Sequence, residues 1–191
     1  GFREKRFGIM NWLAEPSGPM HGYDFFSSDI HFFMSFRIRS PRQMFFDWLS
    51  WLNKAGYVPT ELITHAFFDL HQPFFDSFDD EIAIGIDNPI LPIPNIKIAI
   101  KIKNRADCES YLNQIIDELT SSTQEQMSQI INTIEYEKQT IHSLMLQNFP
   151  VTIAWAFVDN FLVIGPGPNF VRNSIDIYQS QLSISHESQL A

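Results

Sequence analysis

The stretch from Ile96 to Leu119 places the tightest limits on what this chain can fold into. Ile96, Ile98, Ile100 and Ile102 alternate with Lys97, Ala99, Lys101 and Lys103, the period of two that puts one apolar row on the core side of a sheet. Directly afterwards Cys108, Leu112, Ile115, Ile116 and Leu119 recur at helical spacing, so the following segment buries one stripe against that sheet. A strand, a short turn and an amphipathic helix are thus written in one pass.

Two other stretches follow the same plan. An offset of 64 residues sets Phe36 on Ile100, Arg37 on Lys101, Ile38 on Ile102, Arg39 on Lys103, Ser40 on Asn104 and Met44 on Cys108. It also sets Trp48 on Leu112, Trp51 on Ile115 and Leu52 on Ile116. Ser40 stands where an N-cap belongs and Pro41 at the first helical position, where its missing N–H costs nothing. The spacing predicts a helix from there to about Lys54 with Met44, Trp48, Trp51 and Leu52 as its buried stripe, ended by Gly56. An offset of 127 sets Pro168 on Pro41, Val171 on Met44, Ile175 on Trp48 and Tyr178 on Trp51. The pattern therefore reads as two or three related ββα modules, at about 23–78, 79–120 and 140–180, within one domain spanning 23–180.

Between these units the chain is read more coarsely. Residues 1–22 read as an arm or lead-in, with a short helix near Phe7 to Leu13 and a turn-rich part at Pro16, Gly18, Pro19 and Gly22. Tyr23 to Arg39 reads as extended, broken near Asp29. Pro59 to Phe68 reads as a helix, His71 to Asp80 as irregular, and Glu81 to Asp87 as a strand joined to the Ile96 strand through a proline-braced loop. For 121–147 helix and strand stay open. The segment VTIAWAFVDNFLVIG reads as a hairpin turning at Asp159 and Asn160, with a helix from about Asn169 to Gln179. Residues 181–191 read as a polar tail. The expected fold is α+β, with a mostly antiparallel sheet and helices largely on one face.

Charge narrows the partners. The net charge is −9, and residues 61–95 hold seven acidic groups and no lysine or arginine. So dense an acidic belt repels phosphate backbones, which argues against nucleic acid. Cys108 is the single cysteine, so neither an internal disulfide nor a thiolate metal cluster is expected. No apolar run approaches the ~18 residues of a membrane span. No signal peptide is visible, and a chain that opens on Gly1 instead of Met reads as a trimmed or tagged product, which leaves room for an export segment ahead of it.

The hairpin AFVDNFLVIGPGPNFVRNSI, the run DEIAIGIDNPILPIPNIKIAIKIKN with its following helix, and the repeated strand and helix plan resemble a family of exported bacterial proteins of unknown function. The resemblance spans about Tyr23 to Tyr178. It implies a periplasmic or cell-envelope location and a repeated α+β fold, and supplies no catalytic motif to carry over.

Candidate sites follow from side-chain chemistry. Arg37, Arg39, Lys101 and Lys103 hold matching positions on matching strands, among the small residues Ser35, Ala83, Gly85, Ala99, Ala154 and Ala156. They nominate a shallow basic face for an anionic ligand or partner, although alternating cations also keep the wet face of a sheet soluble. His65 and Asp69 are one helical turn apart with His71 just beyond, a set suited to zinc and the centre of an alternative reading as a metal-dependent hydrolase. No HExxH signature or nucleophile elbow supports that reading, and no cofactor is indicated. Cys108 sits on its helix's buried stripe, where a thiol is inert filler. The loop GPGPN has the place of a phosphate-binding turn, but its two prolines lack the donors. Phenylalanine occurs 18 times, with adjacent pairs at Phe25–Phe26, Phe32–Phe33, Phe45–Phe46, Phe67–Phe68 and Phe74–Phe75. On a strand such a pair needs both faces covered, by core, by an apolar ligand or by another chain. The sequence thus points to a noncatalytic envelope protein that binds a partner protein or an apolar or anionic ligand, with membrane proximity through a segment not present here and oligomers as further expectations.

Overall fold

The computed structural model describes residues 12–14, 18–56, 72–86, 96–121, 131–145 and 152–184. Seven strands form one antiparallel sheet: β1 Phe32–Arg37, β2 Phe78–Ile86, β3 Ile96–Ile102, β4 Ile131–Tyr136, β5 Gln139–Met145, β6 Thr152–Val158 and β7 Phe161–Gly165. Their spatial order is β1-β2-β3-β7-β6-β5-β4. Two meanders, one of three strands and one of four, are thus sewn together where β3 meets β7 through Ile98 to Lys101. Among the described residues four helices accompany them: α1 Pro41–Lys54, α2 Gln72–Asp76, α3 Arg105–Ser121 and α4 Pro168–Ser180. This is the α+β architecture expected from the pattern.

Each face of the sheet has its own core. On the first face Ile82, Ile100, Ile102, Trp155, Phe157 and Leu162 pack with Met44 of α1, Phe75 of α2 and Cys108 and Ile116 of α3. On the second Ala83, Ala99, Ala154, Ala156 and Val163 lie under Phe25, Phe26 and residues Val171 and Ile175 of α4. Three helices therefore share one face while α4 and the 3-10 turn Gly22–Phe25 cover the other. The small residues of the second face are small for a steric reason. A Cβ on Gly85 would stand 2.2 Å from Ile30 Cδ1 and 2.5 Å from the Phe26 ring.

The strand and helix units occupy related places. β1 and β3 flank β2, both antiparallel to it, so they run the same way and send α1 and α3 onto the same face. Ser40 caps α1 by accepting from Gln43 N at 3.2 Å, and Asn104 caps α3 by accepting from Ala106 N at 3.0 Å. β7 is antiparallel to β3, and its helix α4 lies on the opposite face from α3. Gly167, with φ of 152°, makes the entry to Pro168.

Several local expectations are corrected. Tyr23 to Phe25 belongs to the 3-10 turn rather than to an extended segment, because Phe25 and Phe26 both turn down into the second core. The stretch read as irregular contains α2, and β2 begins at Phe78 with a register shift between Phe78 and Ile82. Residues 131–145, left open between helix and strand, form the hairpin β4–β5, with Glu137 and Lys138 at positive φ in its turn. On α1 the apolar stripe is rotated: Phe45, Phe46 and Leu49 join Met44 against the core, while Trp48 and Trp51 are 46% and 63% exposed. The helix read at Pro59 to Phe68 lies outside the described residues, as does the proline loop after β2. Among the described residues no helix is long and apolar enough to cross a membrane.

Candidate functional site

The register shift in β2 gathers Asp79, Asp80 and Glu81 between two cation-bearing strands. Arg37 on β1 forms an ion pair with Asp80 and donates to the carbonyl of Pro19 at 2.7 Å. Lys101 on β3 stands 3.3 Å from Asp79. Glu81 is completely buried, and its Oε1 accepts from the backbone N–H groups of His21 at 2.6 Å and Gly22 at 2.5 Å. Its Oε2 and the Nε of Arg37, on residues directly opposite in register, are buried without a hydrogen-bond partner among the described residues. The acidic belt and the basic strand residues, read from the sequence as separate features, meet here.

The segment from Gly18 to Ile30 is drawn across the second face by these contacts and by its own aromatics. Phe25 stacks on Tyr178 of α4 at 4.9 Å between ring centroids and tilts against Phe161 at 5.1 Å. Lys97, on the face that period-two reasoning made wet, is 1% exposed. Its ammonium donates to Asn173 Oδ1 at 2.9 Å and lies 5.6 Å from the Phe26 ring.

The remaining nominated cations are dispersed. Lys103 donates to the Asp76 carbonyl at 3.2 Å, and Arg39 is exposed just past the strand. Lys103 also lines a cleft of about 510 Å3 between α2 and the start of α3, with Asp76, Asn104, Asp107 and Tyr111. The polar groups of that cleft answer one another: Gln72 donates to Asp76 at 3.2 Å and Asn104 to Asp107 at 2.9 Å. His65, Asp69 and His71 lie outside the described residues. Among the described residues no three or more His, Cys, Asp or Glu side chains are gathered to hold a metal ion. Cys108 is fully buried, and burial pushes its thiol pKa up, which keeps it protonated and unreactive at neutral pH.

What the sequence reading missed is the outer flank of the first face. Phe32 and Met34, which share the side of β1 that carries Phe36, are 48% and 42% exposed. Trp48 and Trp51 are exposed on α1 above that side of the sheet. Trp12 shows how the two are related: its carbonyl accepts from Arg39 N at the outer edge of β1, at 2.8 Å, and its indole donates to Asp47 Oδ2 of α1 at 2.7 Å. Trp12 thus ties the end of β1 to the flank of α1 that bears Asp47. No signal in residue spacing separates these tryptophans from core residues, since both occupy positions of an apolar stripe.

Comparison with protein-family models, with curated proteins and with solved structures finds no match for this chain.

Proposed function

We propose that this chain is a noncatalytic binding protein of the cell envelope whose partner is another protein. The supporting observation is the large apolar side chains left exposed on two elements of the first face, Phe32 and Met34 of β1 and Trp48 and Trp51 of α1. Tryptophan and other aromatics are the side chains that most often anchor protein interfaces, and a lone exposed residue would call for no such account. A small anion is the less favoured ligand, because Arg37 and Lys101 already face Asp80 and Asp79. The envelope location rests on the resemblance of the strand and helix pattern to exported proteins.

A photo-crosslinking residue placed at position 51 in native cells tests this reading. The expected result is a discrete protein adduct that is absent when the same residue replaces exposed Gln114 on α3. No adduct at position 51, or the same adducts at both positions, would overturn it.

A further inference from the structure

We propose that this chain forms a two-fold dimer in which the outer edge of β4 pairs with β4 of a second copy, antiparallel and with Thr133 on the axis. The join lies at the opposite end of the sheet from β1. It goes beyond the reading above, which does not depend on it.

The state of the edge supplies the first part of the argument. β4 ends the strand order, and among the described residues no backbone bond or bridge reaches its outer side. Ile131, Asn132, Thr133 and Glu135 are all exposed. Natural edge strands are protected by proline, bulges, inward charges or a covering segment. β1 carries Trp12 to Ala14 along one end. β4 instead has six residues and no proline, in unbroken register with β5 from Ile131↔Leu144 to Tyr136↔Gln139. Its one charged residue, Glu135, is drawn towards β5 by Thr140, whose hydroxyl donates to Glu135 Oε1 at 2.8 Å.

Backbone direction fixes the register with a second copy. The turn at Glu137 and Lys138, both with positive φ, is a two-residue hairpin, so the flanking Tyr136 and Gln139 exchange both of their backbone bonds. Alternation then aims Ile134 and Asn132 at β5 as well, and Ser143 Oγ on β5 donates to the Asn132 carbonyl at 3.4 Å. Ile131, Thr133 and Glu135 aim their N–H and C=O groups outward, evenly placed about Thr133. A second copy of the strand, turned by the two-fold, sets Thr133 against Thr133 and Ile131 against Glu135, for about six backbone bonds. Sliding the pairing either way leaves an outward residue of the strand unmatched. The side chains fit the same register. Facing threonines are a favourable cross-strand pair, and each Glu135 stands beside an isoleucine rather than beside the other carboxylate. Ile131, 36% exposed, gains cover from the Glu135 stem of the second copy.

Sedimentation of the full chain over a range of concentrations tests the join. A reversible dimer in the micromolar range is expected, as suits an interface smaller than the standard size. Hydrogen exchange across the same range is expected to slow at the amides of Ile131, Thr133 and Glu135 and to stay unchanged at Asn132 and Ile134, which already bond to β5. Thr133→Lys sets like charges opposite each other, and Thr133→Pro deletes an outward donor that folding does not use. Each is expected to weaken the dimer about tenfold or more while the chain still melts cooperatively. Thr133→Cys, in a chain whose own Cys108 is buried, is expected to give a disulfide-linked dimer on mild oxidation, whereas Gln114→Cys on α3 is not. A monomer at every concentration, a dimer indifferent to both Thr133 variants, or slowed exchange at Asn132 and Ile134 instead overturns the β4 join. A dimer abolished by Trp51→Ala overturns it too, since that places the contact on α1.

Discussion

Glu81 carries a large electrostatic risk. A completely buried carboxylate is tolerable only where donors replace the water it has lost, and two backbone N–H groups of the Gly18 to Ile30 segment do so. Glu81→Ala is expected to lose about 2–4 kcal/mol, since it strands both donors as well as losing the bonds. Glu81→Gln keeps one acceptor oxygen and is expected to lose less. Urea unfolding of the two variants measures the difference, and equal losses would show that the carbonyl acceptor is not what holds the segment. Tyr178 gives a second local test, at alkaline pH. Its hydroxyl donates to Asp159, and that bond, with burial and the nearby negative charges of Asp159 and Asp24, pushes its pKa up to about 12 from an ordinary 10.0. A pKa raised by folding means that the folded state holds the proton more tightly than the unfolded chain. The associated stability is complete below pH 10 and disappears as pH rises towards 12. Tyr178→Phe is expected to remove that part of the alkaline decline, read from unfolding midpoints at stepped pH, and a decline identical to that of the parent protein would refute it.

Among the elements, those with a complete chemical signature were legible in the chain. Ser40 with Pro41, and Asp159 with Asn160, mark a helix start and a hairpin turn that the structure reproduces, because capping and turn geometry depend on a few neighbouring atoms. The face that α1 buries was not legible. Met44, Trp48 and Trp51 have the spacing of a core stripe, and only the position of the sheet rotates the helix so that Phe45, Phe46 and Leu49 take part instead. β4 was hidden for another reason: an edge strand with one neighbour needs no strong alternation, and the side chains of Ile131, Asn132 and Thr133 are all exposed. Its hairpin offers a prediction of its own. Glu137 and Lys138 hold φ of 47° and 64°, the left-handed region that β-carbons disfavour and two-residue hairpin turns require. Lys138→Gly is expected to raise stability by about 0.5–1 kcal/mol, measured by thermal melting; a loss of stability would mean that the lysine side chain holds the turn.

At the scale of the whole molecule, the alternation around Ile96 to Ile102 foretold the sheet but not its second cover. Lys97, Lys101 and Arg37 read as the wet side of a strand, yet that side lies beneath α4 and the Phe25–Phe26 pair, and Lys97 is buried with it. Sequence periodicity distinguishes one face of a strand from the other; it does not say whether a distant segment returns to roof the polar one. The aromatic pairs carried part of that information, for Phe33 packs inward while neighbouring Phe32 remains exposed. The strand order itself has a further consequence. With seven antiparallel strands, β1 and β4 at the two edges point the same way, so the sheet has a polarity, with a head and a tail. Copies joined β1 to β4 would meet as parallel strands and grow into an open ribbon, whereas copies joined β4 to β4 would meet antiparallel and close as a pair. The three residues Trp12 to Ala14, lying along one end of β1, occupy part of the edge that the first of these joins would need.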